Sequence, residues 1–256
     1  MKRQDEDRGS HRHLEGIRAA VTGGTSGLGL ALVRALYRQG ARVAFVARHA
    51  SEVDAVARSL PGTFGIVGDI ALKADVHPIA MQIVGNLGGL DLLVNNASSL
   101  GPTPLALLGD TDCEDLELAF ATNLLGPFRL TKALLGALTA SAREGRGSIV
   151  LNVSSDAAAT PYPRWGAYGA SKASLLHMSR IWDEELASET VRVLALDPGD
   201  MDTPLHALAV PDADRTALKA PAVAAREMLD AIVAAWPGRR RSDAEPVLTA
   251  GLEVGR

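Results

Sequence analysis

The sequence predicts an α/β fold: a single domain built on a doubly wound parallel β-sheet with helices on both faces. Three observations carry that prediction. Short β-branched or apolar runs alternate with longer stretches whose apolar residues recur at helical spacing. The first run feeds directly into a glycine-rich turn that opens a helical pattern. At 256 residues and 47% hydrophobic content, the chain is long enough to bury both faces of such a sheet.

The runs are IRAAVT (17–22), RVAFVA (42–47), TFGIVG (63–68), DLLVNN (91–96), GSIVLNVS (147–154) and VRVLALD (191–197). Helical patterns occupy 27–39, 51–60, 72–87, 111–140, 166–188 and 221–235. Strand, helix and strand repeated this way imply right-handed crossovers, with ligands at the carboxyl ends of the strands. The Pro- and Asp-containing segment 198–220 is the candidate flap over such a site. Residues 1–13 read as a disordered tail, which leaves 14–256 as the domain.

Composition narrows the function. A net charge of -4 and a pI near 5.9 give no basic excess for nucleic acid, and the single Cys113 has no internal disulfide partner. The histidines are scattered, so no metal site is expected. No apolar run reaches the ~18 residues of a membrane span. The start MKRQDEDRGSHRH carries charges where a signal peptide needs an apolar segment, so a cytoplasmic location is expected. The basic run Arg239–Arg241 reads as a solvated loop.

The glycine turn, Thr22 to Gly29, suits a dinucleotide pyrophosphate. Glycines at 23, 27 and 29 permit a tight turn and close backbone approach, and the following helix offers unpaired N–H groups. The contacts expected there are Gly23, Thr25, Ser26, Gly27, Leu28 and Gly29. The spacing is not the common Gly-x-Gly-x-x-Gly, and it lacks the Gly-Lys-Ser/Thr ending of a nucleoside-triphosphate loop. The second strand ends Ala47-Arg48-His49 without a carboxylate for a ribose 2′-hydroxyl. Arg48 can fork onto a 2′-phosphate, which favours NADP over NAD, although an exposed strand-end charge is the plain alternative. Asp69-Ile70 falls where an adenine edge would lie; Asp69 is equally suited to capping a helix. Asn95-Asn96-Ala97 can tie strands together beneath a cofactor.

The stretch Ser155 to Lys172 holds the chemistry. On a helix, Tyr168 and Lys172 share one face, and a neighbouring cation favours the phenolate and brings it into working range. A half-buried aromatic beside a solvated lysine is the bland alternative. Ser155 can hold a substrate oxygen against the phenol. Asn123 lies among apolar residues, either as a structural hydrogen bonder or as a water holder.

Taken in order and at these separations, Thr22-Gly23…Gly27-x-Gly29, Asp69, Asn95-Asn96-Ala97, Asn123, Ser155, Tyr168-x-x-x-Lys172 and Pro198-Gly199…Thr203 resemble the short-chain dehydrogenase/reductase family in its compact form. The resemblance implies a Rossmann-like fold and a proton-relay tetrad. Tyr168 would be the general acid/base, with Lys172 lowering its pKa and holding the nicotinamide ribose. Ser155 would orient the substrate oxygen, and Asn123 would anchor a relay water. Pro198, Gly199, Met201 (through its backbone) and Thr203 would line the nicotinamide end.

Two departures stand out. Ser98 replaces the glycine usual after Asn-Asn-Ala, and only Pro246–Thr249 offers a seventh strand. The resemblance also implies a homodimer through helices 111–140 and 166–188, or a homotetramer. Leu100, Pro102, Pro104, Tyr162, Trp165, Leu205 and Leu208 favour a hydrophobic carbonyl or alcohol substrate. The competing readings are a silent dinucleotide-binding sensor and sugar-nucleotide epimerase chemistry.

Overall fold

The computed structural model describes residues 14–237. The tail 1–13, the Arg239–Arg241 run and the Pro246–Thr249 strand candidate lie outside them. Six parallel strands form one sheet in the order β3-β2-β1-β4-β5-β6. They are β1 (Arg18–Thr22), β2 (Arg42–Ala47), β3 (Phe64–Val67), β4 (Leu92–Asn95), β5 (Ser148–Val153) and β6 (Val191–Leu196). All six expected runs became strands; β2 matches its run, and each of the others is shorter by one or two residues at its ends.

Alternation along the strands supplies two separate cores, because successive side chains point to opposite faces. Ala19, Val21, Val43, Phe45, Leu92, Val94, Ile149 and Leu151 pack with α1 (Gly27–Arg38), the inner side of α2 (Ala50–Ser59) and α8 (Pro221–Ala235). Ala20, Ala44, Val46, Leu93 and Val150 pack on the other face with α3 (Lys73–Leu87) and α5 (Gly126–Arg143). Leu186 of α6 (Gly166–Leu186) joins that second core. Helices therefore cover both faces of one Rossmann-like domain.

One expected element needs correction. The helical pattern over 111–140 is not continuous: α4 (Cys113–Phe120) passes through a π-helical turn at Ala121–Leu125 before α5 begins. The Gly126 N–H bonds to the carbonyl of Ala121, five residues back. Pro127 explains the break, since it has no N–H to give the helix and its ring disfavours the normal ladder. Gly126 is also a point of close approach, where a Cβ would lie 2.9 Å from the carbonyl oxygen of Ile70. Asn123 sits inside this turn and is 1% exposed.

Segment 198–220 is an ordered excursion. It contains α7 (Pro204–Ala209), and a parallel bridge between Met201 and Lys219 clips its base. That bridge uses the carbonyl of Asp200 and the N–H of Asp202. Met201's own backbone groups therefore face the opposite way.

Candidate active site

Strand order reverses between β1 and β4, and the crevice outside their carboxyl ends is where sheets of this kind take ligands. The sequence-predicted residues gather on that edge. Gly23 follows β1, Arg48 follows β2, Asp69 lies beyond β3, Asn96 and Ala97 follow β4, Ser155 follows β5 and Pro198 follows β6.

Asn96 knits β1 to β4. Its side-chain amide donates to the Thr22 carbonyl at 2.9 Å, while the backbone N–H groups of Asn96 and Ala97 donate to the Thr22 hydroxyl at 3.0 and 3.1 Å. The glycines make room for it. A Cβ on Gly23 would lie 2.9 Å from the Asn96 amide nitrogen, and one on Gly29 would lie 2.5 Å from it and 2.1 Å from the Gly23 carbonyl oxygen. Gly29 thus serves the seam between turn and strand as well as the packing of α1.

The first turn of α1 fits an anion. Ser26 is the N-cap, yet no side chain caps the helix, so its N–H groups and dipole face the crevice. Thr203 packs over the same turn, its methyl 3.3 Å from where a Gly27 Cβ would be, and it caps α7 by accepting from the His206 N–H at 3.2 Å. Thr25 donates to Glu52 at 3.0 Å. Arg48 is exposed and has no ion pair with another described residue. Asp69 does not cap α3, whose N-cap is Leu72. Its carboxylate instead accepts from the Ala71 N–H at 2.9 Å and its own N–H donates to Asp75 at 2.9 Å, closing a turn. Ile70 is core, 4% exposed, so any contact it makes with a nucleotide runs through its backbone.

Tyr168 and Lys172 do share one face of α6. The Lys172 ammonium lies 5.5 Å from the phenol ring centroid and donates to the Val153 carbonyl at 2.7 Å. The expected lowering of the phenol pKa by this lysine is not found. Burial pushes the Tyr168 phenol up to about 12; hydrogen bonds from the Ser155 and Ser98 hydroxyls pull it down, and the Asp197 and Asp156 carboxylates push it up. Lys172 is only 2% exposed, and burial drives its ammonium down to about 8, partly offset by Asp197. Taking both groups out of water outweighs their attraction.

Ser155 accepts from the Ala157 N–H at 3.2 Å and donates to Asp156 at 3.1 Å; the Tyr162 hydroxyl donates to the same carboxylate at 2.7 Å. Asn123 is wholly engaged by the protein. Its carbonyl oxygen accepts from the Ser98 hydroxyl at 3.0 Å and the Ser99 N–H at 2.8 Å, and its nitrogen donates to the Ser99 carbonyl and the Ser171 hydroxyl, both at 2.8 Å. With both lone pairs and both protons used, the amide has nothing left for a water. Ser98 is the functional candidate that sequence reasoning missed, although its departure from the usual glycine was the signal. Leu100, Trp165 and Leu205 pack around Tyr168, with Trp165 edge-on at 5.6 Å, whereas Leu208 is 56% exposed. Tyr162 lies with Trp165 in a groove along α6 that includes none of Ser155, Tyr168 and Lys172.

The short chain dehydrogenase family model matches residues 18–214. The chain belongs to that family. It is 30% identical to L-xylulose reductase of Bos taurus over 219 residues, covering 86% of this chain and 82% of the relative. Among solved structures, a 3-ketoacyl-(acyl-carrier-protein) reductase from Brucella melitensis complexed with NADH superposes with a TM-score of 0.79 at 27% identity, covering 84% of this chain and 90% of that one. A short chain dehydrogenase from Escherichia coli CFT073 complexed with NADPH superposes at 0.77 with 25% identity, covering 87% and 91%. The protein is accordingly an oxidoreductase of the CH–OH/C=O class that uses a nicotinamide dinucleotide.

Proposed function

We propose that this protein interconverts a small hydrophobic carbonyl compound and its alcohol with NADP, Tyr168 acting as general acid/base. The observation that carries this reading is the buried phenol beside a buried ammonium, 5.5 Å from ring centroid to nitrogen, at the carboxyl edge of the sheet. A bound nicotinamide dinucleotide would supply or take up the hydride. The backbone of Gly23, Thr25, Ser26, Gly27, Leu28 and Gly29 would hold its pyrophosphate, and Arg48 its 2′-phosphate. Asp69, Ile70, Asn96 and Ala97 would flank the adenosine half, with Pro198, Gly199, Met201 and Thr203 at the nicotinamide end.

Reduction develops negative charge on the substrate oxygen. Ser155 orients that oxygen and Tyr168 gives it a proton, which is the stabilisation such a transition state needs. Lys172 holds the ribose and supplies charge beside the phenol. If a water links Lys172 to bulk solvent at Asn123, it must use the backbone carbonyl of that residue, because the side chain is filled. The apolar surround of Leu100, Trp165 and Leu205 favours a hydrophobic substrate over the sugar that the xylulose reductase's name states.

The test is NADPH oxidation against a panel of aromatic and aliphatic ketones, with wild-type protein and Tyr168→Phe. Turnover reduced by roughly 10²–10⁴ in the variant, with nucleotide binding kept, is the expected result. Binding with no turnover in either protein would favour a sensor. Tighter binding of NAD than of NADP, or an Arg48→Ala variant that binds both as before, would overturn the cofactor preference.

A further inference from the structure

Segment 198–220 leaves the end of β6 and returns at Lys219, and each polar group of that lysine is spent on the return. Its N–H donates to the Asp200 carbonyl at 3.1 Å and its carbonyl accepts from the Asp202 N–H at 3.0 Å, which makes the bridge at the segment's base. Its ammonium donates to the Pro198 carbonyl at 3.2 Å and to the Glu227 carboxylate at 2.7 Å. Glu227 stands on α8, whose buried side is held in the first core by Ala224, Ala225, Met228 and Ile232. One side chain therefore joins the turn after β6 to a helix anchored in close-packed side chains.

The turn is shaped to accept that tie. Pro198 has no N–H, so its carbonyl is its one polar backbone group. The Gly199 N–H donates to the Asp197 carboxylate at 2.9 Å, which holds the turn from the strand side. Gly199 takes a φ of +74°, and a Cβ there would lie 3.7 Å from the Lys219 nitrogen, so the ammonium rests against the turn itself.

We propose that Lys219 is a positioning residue for the nicotinamide half of the cofactor: held by Glu227, its ammonium fixes the Pro198-Gly199 turn against which that half lies. The inference rests on the reading that puts the nicotinamide end at Pro198, Gly199, Met201 and Thr203. The Lys219–Glu227 pair is partly solvated, its side chains 34 and 55% exposed, so it adds little to global stability. Its effect is local. Without the ammonium the turn keeps the Asp197 bond and the backbone bridge but loses its tie to α8, and the dinucleotide has to order it on binding.

The test separates the two halves of the cofactor. Wild type and Lys219→Met are titrated calorimetrically with NADPH and with 2′-phospho-ADP-ribose, which keeps the adenosine half and the pyrophosphate but carries no nicotinamide. If the protein binds NAD more tightly, NADH and ADP-ribose form the same pair, so the outcome does not depend on the cofactor preference. Lys219→Met is expected to bind the dinucleotide about tenfold more weakly and the nicotinamide-free analogue as before. Glu227→Gln should act in the same direction but less, and should add nothing to Lys219→Met, because it works through the lysine. In ligand-free protein, amide hydrogen exchange over 198–203 should quicken in Lys219→Met while that of β1 and β4 stays as in the wild type. Unchanged exchange over 198–203, or equal weakening of both ligands, would overturn the proposal. Quickened exchange with dinucleotide affinity unaltered would overturn it through its premise, the place of the nicotinamide at this turn, and leave the tie to α8 standing.

Discussion

Tyr168 and Lys172 leave opposite marks on stability, and the signs follow from their pKa values. Lys172 falls from 10.5 to about 8 on folding, so between those pH values the unfolded chain binds more protons. Stability therefore rises as pH climbs through that window. Tyr168 rises from 10 to about 12, so the stability it contributes is complete below pH 10 and is lost as pH climbs through 12. Between pH 8 and 10, the unfolding free energy of the wild type should increase by roughly 2 kcal/mol relative to that of Lys172→Met, read from urea melts at each pH. Parallel curves for the two proteins would mean that the ammonium is solvated. The four-residue spacing made the shared helix face legible in the sequence. Burial of the phenol was not legible, because it draws on Leu100 and Leu205, which arrive from distant segments. The Asn123 amide was likewise recognisable as needing partners, but Ser99 and Ser171 lie 24 and 48 residues away.

At the scale of elements, the strands and most helices were legible because period-two and helical spacing report burial on the two sheet faces. The π turn was signalled by Gly126-Pro127 and by the misplaced amide of Asn123. What no periodicity reveals is the clamp at the amino ends of the strands. Asp91, just before β4, is fully buried and receives Arg18 of β1 at 2.7 Å, Arg146 ahead of β5 at 2.7 Å and the Ser141 hydroxyl of α5. Burial alone would raise its pKa, but the guanidiniums of Arg146 and Arg18, with the Ser141 hydroxyl, outweigh it and hold the carboxyl far below the usual carboxylate range. Asp91→Asn leaves two guanidiniums facing a neutral amide, and should cost about 3–5 kcal/mol in chemical denaturation. In the wild type this contribution is present above the usual carboxylate value near 4 and is lost only as pH falls through the depressed one. At the opposite edge, Gly29→Ala drives a methyl into the Gly23 carbonyl and the Asn96 amide. It should cost about 1–3 kcal/mol and weaken NADP binding together, both read from thermal shifts with and without nucleotide. Binding unchanged beside full stability would show that the turn has slack.

For the whole molecule, exposed apolar residues of α4, the π turn and α6 bear on how chains associate. Leu116 and Leu118 on α4, Leu125 in the π turn and Ile181 on α6 stay 37, 44, 39 and 45% exposed. Single exposed apolar side chains are ordinary, but these lie on elements that pack against one another, α4 on α6 and the π turn on both. An exposed apolar residue such as Ile181 suits a two-fold contact, in which the same surface on each copy buries the other. The wild type is then expected at twice the 26.8 kDa chain mass in light scattering after gel filtration. Ile181→Glu should bring it down to one chain, since the interface would have to bury two carboxylates without partners. Leu208→Glu on α7, 56% exposed, should leave the mass unchanged. Ser155, Tyr168, Lys172 and the glycine turn all come from one chain, so the Ile181→Glu monomer should keep its nucleotide binding. An Ile181→Glu protein that runs at the wild-type mass would place the contact elsewhere.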